Sequence, residues 1–377
     1  MELSERSIEP EYFEELGEKT RYNEYMTEYY NALFEETGED LYSHRAKSME
    51  LCCKYWDMDY YRLQAVKDIQ RVNLCKDKFC FNCQSLLALR RQAKYAPVLD
   101  SYTAAQDIWH IVFTVPNCTG EELRGCLLRM YQKFGYMVRY MDGRKRLRGI
   151  NFAQYGYVGA VRALEVTQSR EDGRFHPHFH CMFILRKGLR MKRRHVNSYF
   201  FDRGQLVRRF SDFEVLLQKV WCLLMSGREV NAQAVAELQE GYSVTADRVG
   251  RGEYHEVFKY AMKGSFKDGT IFDYGTFKTL YGALHHRKTI QGYGALHNFK
   301  FEDEAGDLFE DELAELYEGL IAELQRWEEP VRTYESLEQI VTESRRANTR
   351  YISKSNFRSV LREYKRQEER EAAEKRQ

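Results

Sequence analysis

The spacing of apolar and polar positions changes along the chain, and these changes predict alternating strands and helices. Residues 109–117, WHIVFTVPN, form an apolar run that ends in Pro-Asn, which predicts a buried strand followed by a turn. The next segment, EELRGCLLRMYQKFGYMVRY, has apolar residues at helical spacing and predicts an amphipathic helix. Residues 157–185 contain two more apolar runs around Asp172-Gly173, a dipeptide typical of a hairpin turn. We therefore expect an α+β fold with a central antiparallel β-sheet and flanking helices.

The register of this hairpin decides which side chains meet. A two-residue type I′ turn at Asp172-Gly173 would place Glu165 directly opposite His180. Because side chains alternate between the two faces of a sheet, every second residue of HPHFH shares the face of Glu165. Three histidines have this position: His176, His178 and His180. The hairpin therefore gathers imidazoles and a carboxylate on one face without further folding.

This group predicts a divalent metal site. Two imidazoles and one carboxylate supply three ligands and leave coordination positions open for a substrate. A single strand histidine is usually structural, but three at alternate positions opposite a glutamate are hard to explain by packing. We expect the ligands to be Glu165, His178 and His180, because these histidines lie deeper in the strand. The pair His176 and His178 also fits the pattern. Such ligands suit Mn²⁺, and Mg²⁺ is the alternative because of its abundance.

Five of the nine cysteines lie within residues 51–95: Cys52, Cys53, Cys75, Cys80 and Cys83. Closely spaced thiolates followed by a helix, QSLLALRRQAKY, predict a structural zinc ion with tetrahedral coordination. We expect four of them to bind it: Cys53, Cys75, Cys80 and Cys83. The alternative is a set of buried free thiols, because the spacing is not that of a standard zinc finger. This use of cysteine favours a reducing compartment over a disulfide framework.

The composition is that of a soluble globular protein, with 43% hydrophobic and 31% charged residues. The sequence contains no apolar run long enough to span a bilayer, and MELSERSIEPEYFEE does not have the pattern of a signal peptide. We therefore expect a cytoplasmic protein without a membrane segment.

The net charge of +1 says little about partners, whereas the distribution of charge is informative. Residues 144–148, RKRLR, are basic, and residues 186–209 contain nine lysines and arginines against one aspartate. These segments bracket the hairpin, and their charge would attract a polyanion such as a nucleic acid. The aromatic run Tyr199-Phe200-Phe201 could stack on unpaired bases or pack in a core.

The segment EYHEVFKYAMK predicts a helix with a third group of reactive side chains. Glu256, Tyr260 and Lys263 are spaced so that they share one helix face. A tyrosine with an ordinary pKa of about 10 needs a base, a cation or a metal ion to act as a nucleophile. Lys263 could stabilise a phenolate or a phosphate, and Glu256 could accept a proton. Such residues are common on helices, so the segment gains meaning only in combination with the hairpin.

Together these motifs resemble those of the HUH endonucleases and, among them, the Rep_1 type of rolling-circle replication initiators of Gram-positive plasmids. The similar segments are WHIVFTVPN, EVTQS with HPHFHCMFIL, EVFKYAMKG, CKDKFCFNCQSLLALRR and LYGALHHRKTIQGYGAL, all within residues 50–300. The resemblance implies that the Glu-His-His group holds Mg²⁺ or Mn²⁺ and that Tyr260 attacks a DNA phosphodiester. It also implies that Glu256 activates water in the terminating cleavage.

The expected products of the attack are a 5′-phosphotyrosine and a free 3′ hydroxyl that primes synthesis. The expected partners are single-stranded origin DNA and the host replication machinery, including a DNA helicase; the oligomeric state is left open. One alternative is a related HUH enzyme, such as a transposase or a conjugative relaxase. Another is a zinc-containing DNA-binding protein without catalysis.

Changes in composition predict four successive parts: an acidic helical extension (1–50), a Cys-rich zinc module (51–100), an HUH endonuclease domain (101–300) and a charged helical region (301–377). The first part is expected to be a solvated helical extension or cap without chemistry of its own. The last part is expected to be a solvated helical appendage, with self-association or contact with a host helicase as the alternatives.

Overall fold

The computed structural model of the chain describes residues 7–169, 171–197, 201–202, 205–206, 208–254, 257, 272–297, 317–346 and 349–353. The chain divides into two compact units. The first consists of Met1–Leu87 with Phe301–Gln377, and the second of Ala88–Lys300. Each unit combines helices with a mainly antiparallel sheet, in agreement with the expected α+β class. The first unit is discontinuous in sequence, which differs from the expected division into four successive parts.

The helices with defined ends are α1 (Pro10–Thr37), α2 (Asp40–Glu50), α3 (Phe81–Tyr102), α4 (Gly120–Met141), α5 (Asp212–Met225), α6 (Ala232–Glu237), α7 (Tyr274–Leu284) and α8 (Leu337–Arg346). The strands are β1 (Tyr55–Tyr61), β2 (Val66–Val72), β3 (Gln106–Thr114), β4 (Gly159–Gln168), β5 (Phe175–Arg186), β6 (Arg193–His195), β7 (Phe201–Asp202), β8 (Gln205–Leu206), β9 (Phe210–Ser211), β10 (Val244–Val249), β11 (Ile290–Gly294), β12 (Val331–Ser336) and β13 (Arg350–Ile352). Residues 317–325 are also helical, and Phe152–Tyr155 form a 3-10 turn. Across these described ranges, no helix is long and apolar enough to cross a membrane.

The second unit is built on a five-stranded antiparallel sheet with the order β10-β3-β5-β4-β11. On one face, α4 packs Phe134 against Phe113 and Phe179. On the other face, α3 packs Leu99 into a buried cluster that contains Met182. Because successive residues of β5 point to opposite faces, its histidines lie on the face that α3 covers. The strand and the amphipathic helix predicted from the sequence correspond to β3 and α4.

The N-terminal helix α1 is part of the core of the first unit, whose sheet has the order β12-β1-β2-β13. Phe13 is fully buried and packs edge-on against Trp56 and Tyr351, with ring centroids 5.8 and 5.0 Å apart. Burying one aromatic side chain of this kind contributes about 2 kcal/mol. Of the two forms expected for this segment, a solvated extension or a cap, α1 is packed rather than solvated.

The C-terminal region completes the same sheet, with β13 pairing parallel to β2. Lys67 of β2 is buried and pairs with Glu335 of β12 at 2.7 Å and with Glu343 of α8. The helical residues 317–325 pack on β1 and β2. The described part of this region is thus integral to the unit rather than an appendage. Residues 354–377 of the predicted helical region lie outside the described residues.

Candidate metal centre

The hairpin formed by β4 and β5 has a longer loop than the sequence suggested. Glu165 pairs with His178, and His180 pairs with Ala163. A type I′ turn needs a positive φ at both central residues. Gly173 has a φ of 68°, whereas Asp172 does not lie in that region. The predicted two-residue turn is therefore wrong, and the pairing shifts by two residues. Because the shift is even, every side chain keeps its predicted face.

The structure brings the three predicted ligands of this hairpin together. The Nε2 atom of His180 lies 2.7 Å from Oε2 of Glu165, and the Nε2 atom of His178 lies 3.1 Å from the same oxygen. The Glu165 residue is only 3% exposed, while the two imidazoles keep 12% and 13% of their side-chain surface. A buried carboxylate with partly accessible histidines leaves room for a substrate to reach the same point.

The position of the proton on His178 indicates whether Glu165, His178 and His180 suit a metal ion. Its Nδ1 donates to the backbone carbonyl of His176 at 3.2 Å. A carbonyl can only accept, so a neutral His178 presents the lone pair of Nε2 to the Glu165 carboxylate. A lone pair facing a carboxylate oxygen is stable only if a proton or a metal ion lies between them. The group therefore fits a divalent cation bound by two nitrogens and one oxygen.

His176, the third histidine of the face, has a different role. Its Nδ1 donates to Oδ1 of Asn117 at 2.6 Å. Burial, assisted by the nearby His178, lowers its pKa from the ordinary value, against the opposing effect of Glu165. His176 is not part of the three-residue group that could hold a metal ion. Of the two histidine pairs considered from the sequence, the structure thus groups His178 with His180.

One residue of the centre was missed in the sequence. Nε2 of His110, in β3, lies 3.0 Å from Nδ1 of His180, and the two ring planes are nearly parallel with centroids 5.2 Å apart. The alternation of β3 puts His110, Val112 and Thr114 on one face, which was readable from the sequence. The sequence did not predict that β3 lies next to β5, because strand order depends on pairing between distant segments.

Part of the basic charge that follows the hairpin is neutralised within the second unit. Arg208 pairs with Asp247 at 2.8 Å and with Glu214 at 2.5 Å. Arg194 pairs with Asp212 at 2.6 Å. Other basic residues of the segment remain exposed: Arg186, Lys187, Arg190, Lys192 and Arg209. The surface available to a polyanion is therefore smaller than the sequence count suggested. Tyr199, Phe200 and Arg203 lie outside the described residues.

The reactive helix predicted from the sequence is described only at its edge. Glu256, Tyr260 and Lys263 lie outside the described residues. Tyr254 is fully buried, and its hydroxyl donates to Oδ1 of Asp100 at 2.7 Å. Burial, followed by the bond to Asp100, raises the pKa of Tyr254. A phenol in this environment is a poor nucleophile.

The first unit contains a second candidate metal centre. Four thiols have sulfur atoms within 4.8 Å of one another: Cys52, Cys75, Cys80 and Cys83. Cys52 thus occupies the place predicted for Cys53. The Cys53 thiol contacts Cys52 but is not a member of the group. Cys53 has a φ of 60°, and this left-handed residue sets the directions of the two neighbouring side chains.

The distances in this four-thiol group fit a tetrahedral zinc ion. The sulfur of Cys52 lies 3.4 Å from that of Cys80 and 3.5 Å from that of Cys83. Zn–S bonds of about 2.3 Å require sulfur separations of about 3.8 Å. The Asn23 amide of α1 and the backbone N–H of Lys76 donate to Cys80 and Cys83 at 3.3 and 3.2 Å. The residues therefore suit a metal ion bound by thiolates.

The fold and the two centres define an α+β protein with a Glu-His-His group on an antiparallel sheet and a separate four-thiol group. A family model described as "Replication protein" matches residues 66–352, which is more than half of the chain. The chain belongs to this family, Rep_1.

Curated relatives with the name "Protein rep" are similar to parts of the chain. One from Bacillus sp. is 27% identical over 168 residues, which cover 43% of this chain and 50% of the relative. One from Bacillus amyloliquefaciens is 25% identical over 177 residues, covering 45% and 48%. One from Streptococcus pneumoniae serotype 2 is 25% identical over 232 residues, covering 59% and 60%. The chain thus spans about half the length of the first two relatives. No solved structure matches it significantly.

Proposed function

We propose that this chain initiates rolling-circle replication of a plasmid by nicking one strand of origin DNA with a tyrosine, as an HUH endonuclease. The observation that carries the proposal is the convergence of Glu165, His178 and His180 in a member of the Rep_1 family. The name shared by the curated relatives supports a role in replication.

The proposed ligands of the catalytic ion, Mg²⁺ or Mn²⁺, are Glu165, His178 and His180. When bound, a divalent ion polarises the scissile phosphate and offsets the charge that develops in the transition state. The chain itself provides orientation. Glu165 is buried on strand β4, and the carbonyl of His176 holds the His178 ring with Nε2 toward the carboxylate.

The proposed nucleophile is Tyr260. Its phenolic oxygen forms a bond to phosphorus while the bond between phosphorus and the 3′ oxygen breaks. The phenolic proton passes, through water, to the departing 3′ oxygen. The products are a 5′-phosphotyrosine and a 3′ hydroxyl that primes synthesis. Lys263 stabilises the phenolate or the scissile phosphate. Because the ester conserves the energy of the broken bond, the strand can be rejoined without a nucleotide cofactor.

The surroundings of Val257 support the assignment of Tyr260. Val257 is fully buried in the cluster on the α3 face of the sheet, which also contains Ala163. Ala163 is the cross-strand partner of His180. In the helix that the sequence predicts, Tyr260 follows Val257 by nearly one turn. Tyr254, the other tyrosine that could be the nucleophile in this segment, is instead hydrogen-bonded to Asp100.

Glu256 is proposed to end the reaction. A tyrosine is occupied by DNA after one cut, so a complete round needs a second nucleophile. Water that loses a proton to Glu256 can supply it and release the displaced circle. The structural alternative is an ion pair between Glu256 and Lys259 that only supports the helix.

The remaining parts of the proposal concern partners and location. The four-thiol group holds a structural zinc ion that orders the segment around it. The DNA partner is the single-stranded origin, and the host replication machinery, including a helicase, acts on the nicked product. These activities belong in the cytoplasm.

A covalent-capture assay tests the proposal. The protein is incubated with Mn²⁺ and a random pool of single-stranded DNA, and DNA that stays attached after denaturation is counted. We expect Tyr260→Phe to abolish attachment. Tyr254→Phe is the matched control; it loses one hydrogen bond, about 1 kcal/mol of stability, and should still form the adduct. An adduct with Tyr260→Phe would refute the choice of tyrosine, and no adduct from the parent would favour a non-catalytic zinc DNA-binding protein.

A further inference from the structure

The two ring nitrogens of His180 face different partners. Nε2 is 2.7 Å from the Glu165 carboxylate, and Nδ1 is 3.0 Å from Nε2 of His110. A neutral imidazole carries one proton, so the contact at Nδ1 decides whether Nε2 has a lone pair to offer to a metal ion. His110 is therefore connected to the metal centre although it is not one of the three grouped residues.

His178 and His180 differ in what determines which ring nitrogen carries the proton. The Nδ1 atom of His178 faces a backbone carbonyl, which only accepts and so fixes the proton on Nδ1. The Nδ1 atom of His180 faces another imidazole, which can either donate or accept. If His110 donates, His180 keeps its proton on Nε2 and cannot ligate. If His110 accepts, His180 is protonated on Nδ1 and its Nε2 is free to bind metal.

Metal binding by His180 requires the accepting form of His110. When Nε2 of His180 offers its lone pair to a metal ion, the single proton of the neutral ring lies on Nδ1. Nε2 of His110 lies 3.0 Å from that Nδ1 atom and is placed to accept the proton. His110 is held at this position because β3 is the strand next to β5 in the sheet.

We propose that His110 is a positioning residue that holds His180 in the tautomer able to bind the divalent ion. The inference rests on the proposed function only for the existence of that ion. His110 accepts from Nδ1 of His180, orients the ring and leaves Nε2 toward Glu165. A partner of this kind contributes about 10- to 100-fold to metal affinity in characterised sites.

The test compares three variants of the full chain by titration with Mn²⁺, following the free ion by electron paramagnetic resonance. His110→Leu should bind Mn²⁺ about 10- to 100-fold more weakly than the parent. His110→Gln places an amide oxygen near the position of Nε2 and should restore affinity to within a few-fold. The control, His297→Leu, changes an exposed histidine of the same unit and should bind as the parent does. Circular dichroism confirms that each variant is folded.

A second measurement follows the tautomer itself. In the metal-free protein with ¹⁵N-labelled histidine, we expect the spectrum of His180 to show a protonated Nδ1 in the parent, and to lose this preference in His110→Leu. Parent-like affinity in His110→Leu, or a folded His110→Gln as weak as His110→Leu, would overturn the inference. Because no DNA is present, a failure of nicking leaves the result intact, and a failure here leaves the proposed nicking activity standing.

Discussion

The buried carboxylate of Asp68 gives a stability prediction with a defined sign. Asp68 lies in β2, is 1% exposed and accepts from the hydroxyl of Tyr317 at 2.6 Å. Burial raises its pKa from 3.8 to about 6, although the hydrogen bonds from Tyr317 and Gln70 act in the opposite direction. The folded protein therefore binds this proton more tightly than the unfolded chain does. As the pH rises from about 4 to 6, stability is lost, and the loss stays constant above that range.

The size of the effect follows from the shift. Each pKa unit corresponds to about 1.4 kcal/mol, so ionised Asp68 costs the folded unit up to about 3 kcal/mol above pH 6. Asp68→Asn removes the charge and keeps an oxygen that accepts from Tyr317. The new amide N–H₂ needs a partner, so the net gain is smaller, about 1–2 kcal/mol at pH 7.5. The gain should vanish near pH 4.

Hydrogen exchange of the β2 amides measures this gain in stability locally, without assuming that both units unfold together. After correction for intrinsic rates, Asp68→Asn should slow exchange about 5- to 30-fold at pH 7.5, as expected for that gain, and less at pH 5. Tyr317→Phe removes the hydrogen bond that lowers the pKa of Asp68. The pH range over which stability is lost should therefore move upward. If Asp68→Asn exchanged as fast as the parent at pH 7.5, or equally at both pH values, the reasoning from burial would be refuted.

Two further predictions concern the candidate centres. Cys52→Ser should lose the zinc that elemental analysis finds in the parent, whereas Cys53→Ser should retain it; zinc lost equally from both, or absent from the parent, would contradict the four-thiol assignment. Glu256→Gln should nick and rejoin DNA normally but fail to hydrolyse at termination, and Glu256→Tyr should restore cleavage through a second covalent adduct. Normal termination by Glu256→Gln would make Glu256 structural.

The sequence predicted the face of the hairpin better than its register. Alternation fixes the face for any even shift, so Glu165 and His178 remain neighbours although the turn at Asp172 is not type I′. The dipeptide Asp-Gly occurs in longer loops as well as in two-residue turns, and the sequence does not state the loop length.

The thiol group shows a second limit. Cys52 and Cys53 are adjacent, and which one faces Cys80 depends on the left-handed backbone at Cys53. A non-glycine residue rarely adopts that conformation, so residue spacing gave no reason to expect it. The kind of metal centre and its place in the sequence were predictable here, whereas the identity of one of its four ligands was not.

Long-range pairing was the least accessible feature. Strands β12 and β13 are short and rich in charge, and they pair with β1 and β2 from more than 250 residues away in the sequence. Their buried contacts, such as Lys67 with Glu335, exist only after the sheet has formed. The contact between His110 and His180 was missed for the same reason.

The central claim is that Glu165, His178 and His180 bind one divalent metal ion at the reactive face of the sheet. Crystals of the full chain soaked in MnCl₂ test it directly by anomalous scattering at the manganese edge. One strong peak is expected within coordination distance of Oε2 of Glu165 and of Nε2 of both histidines. No peak at this group at saturating Mn²⁺, or a peak only elsewhere on the chain, would contradict it.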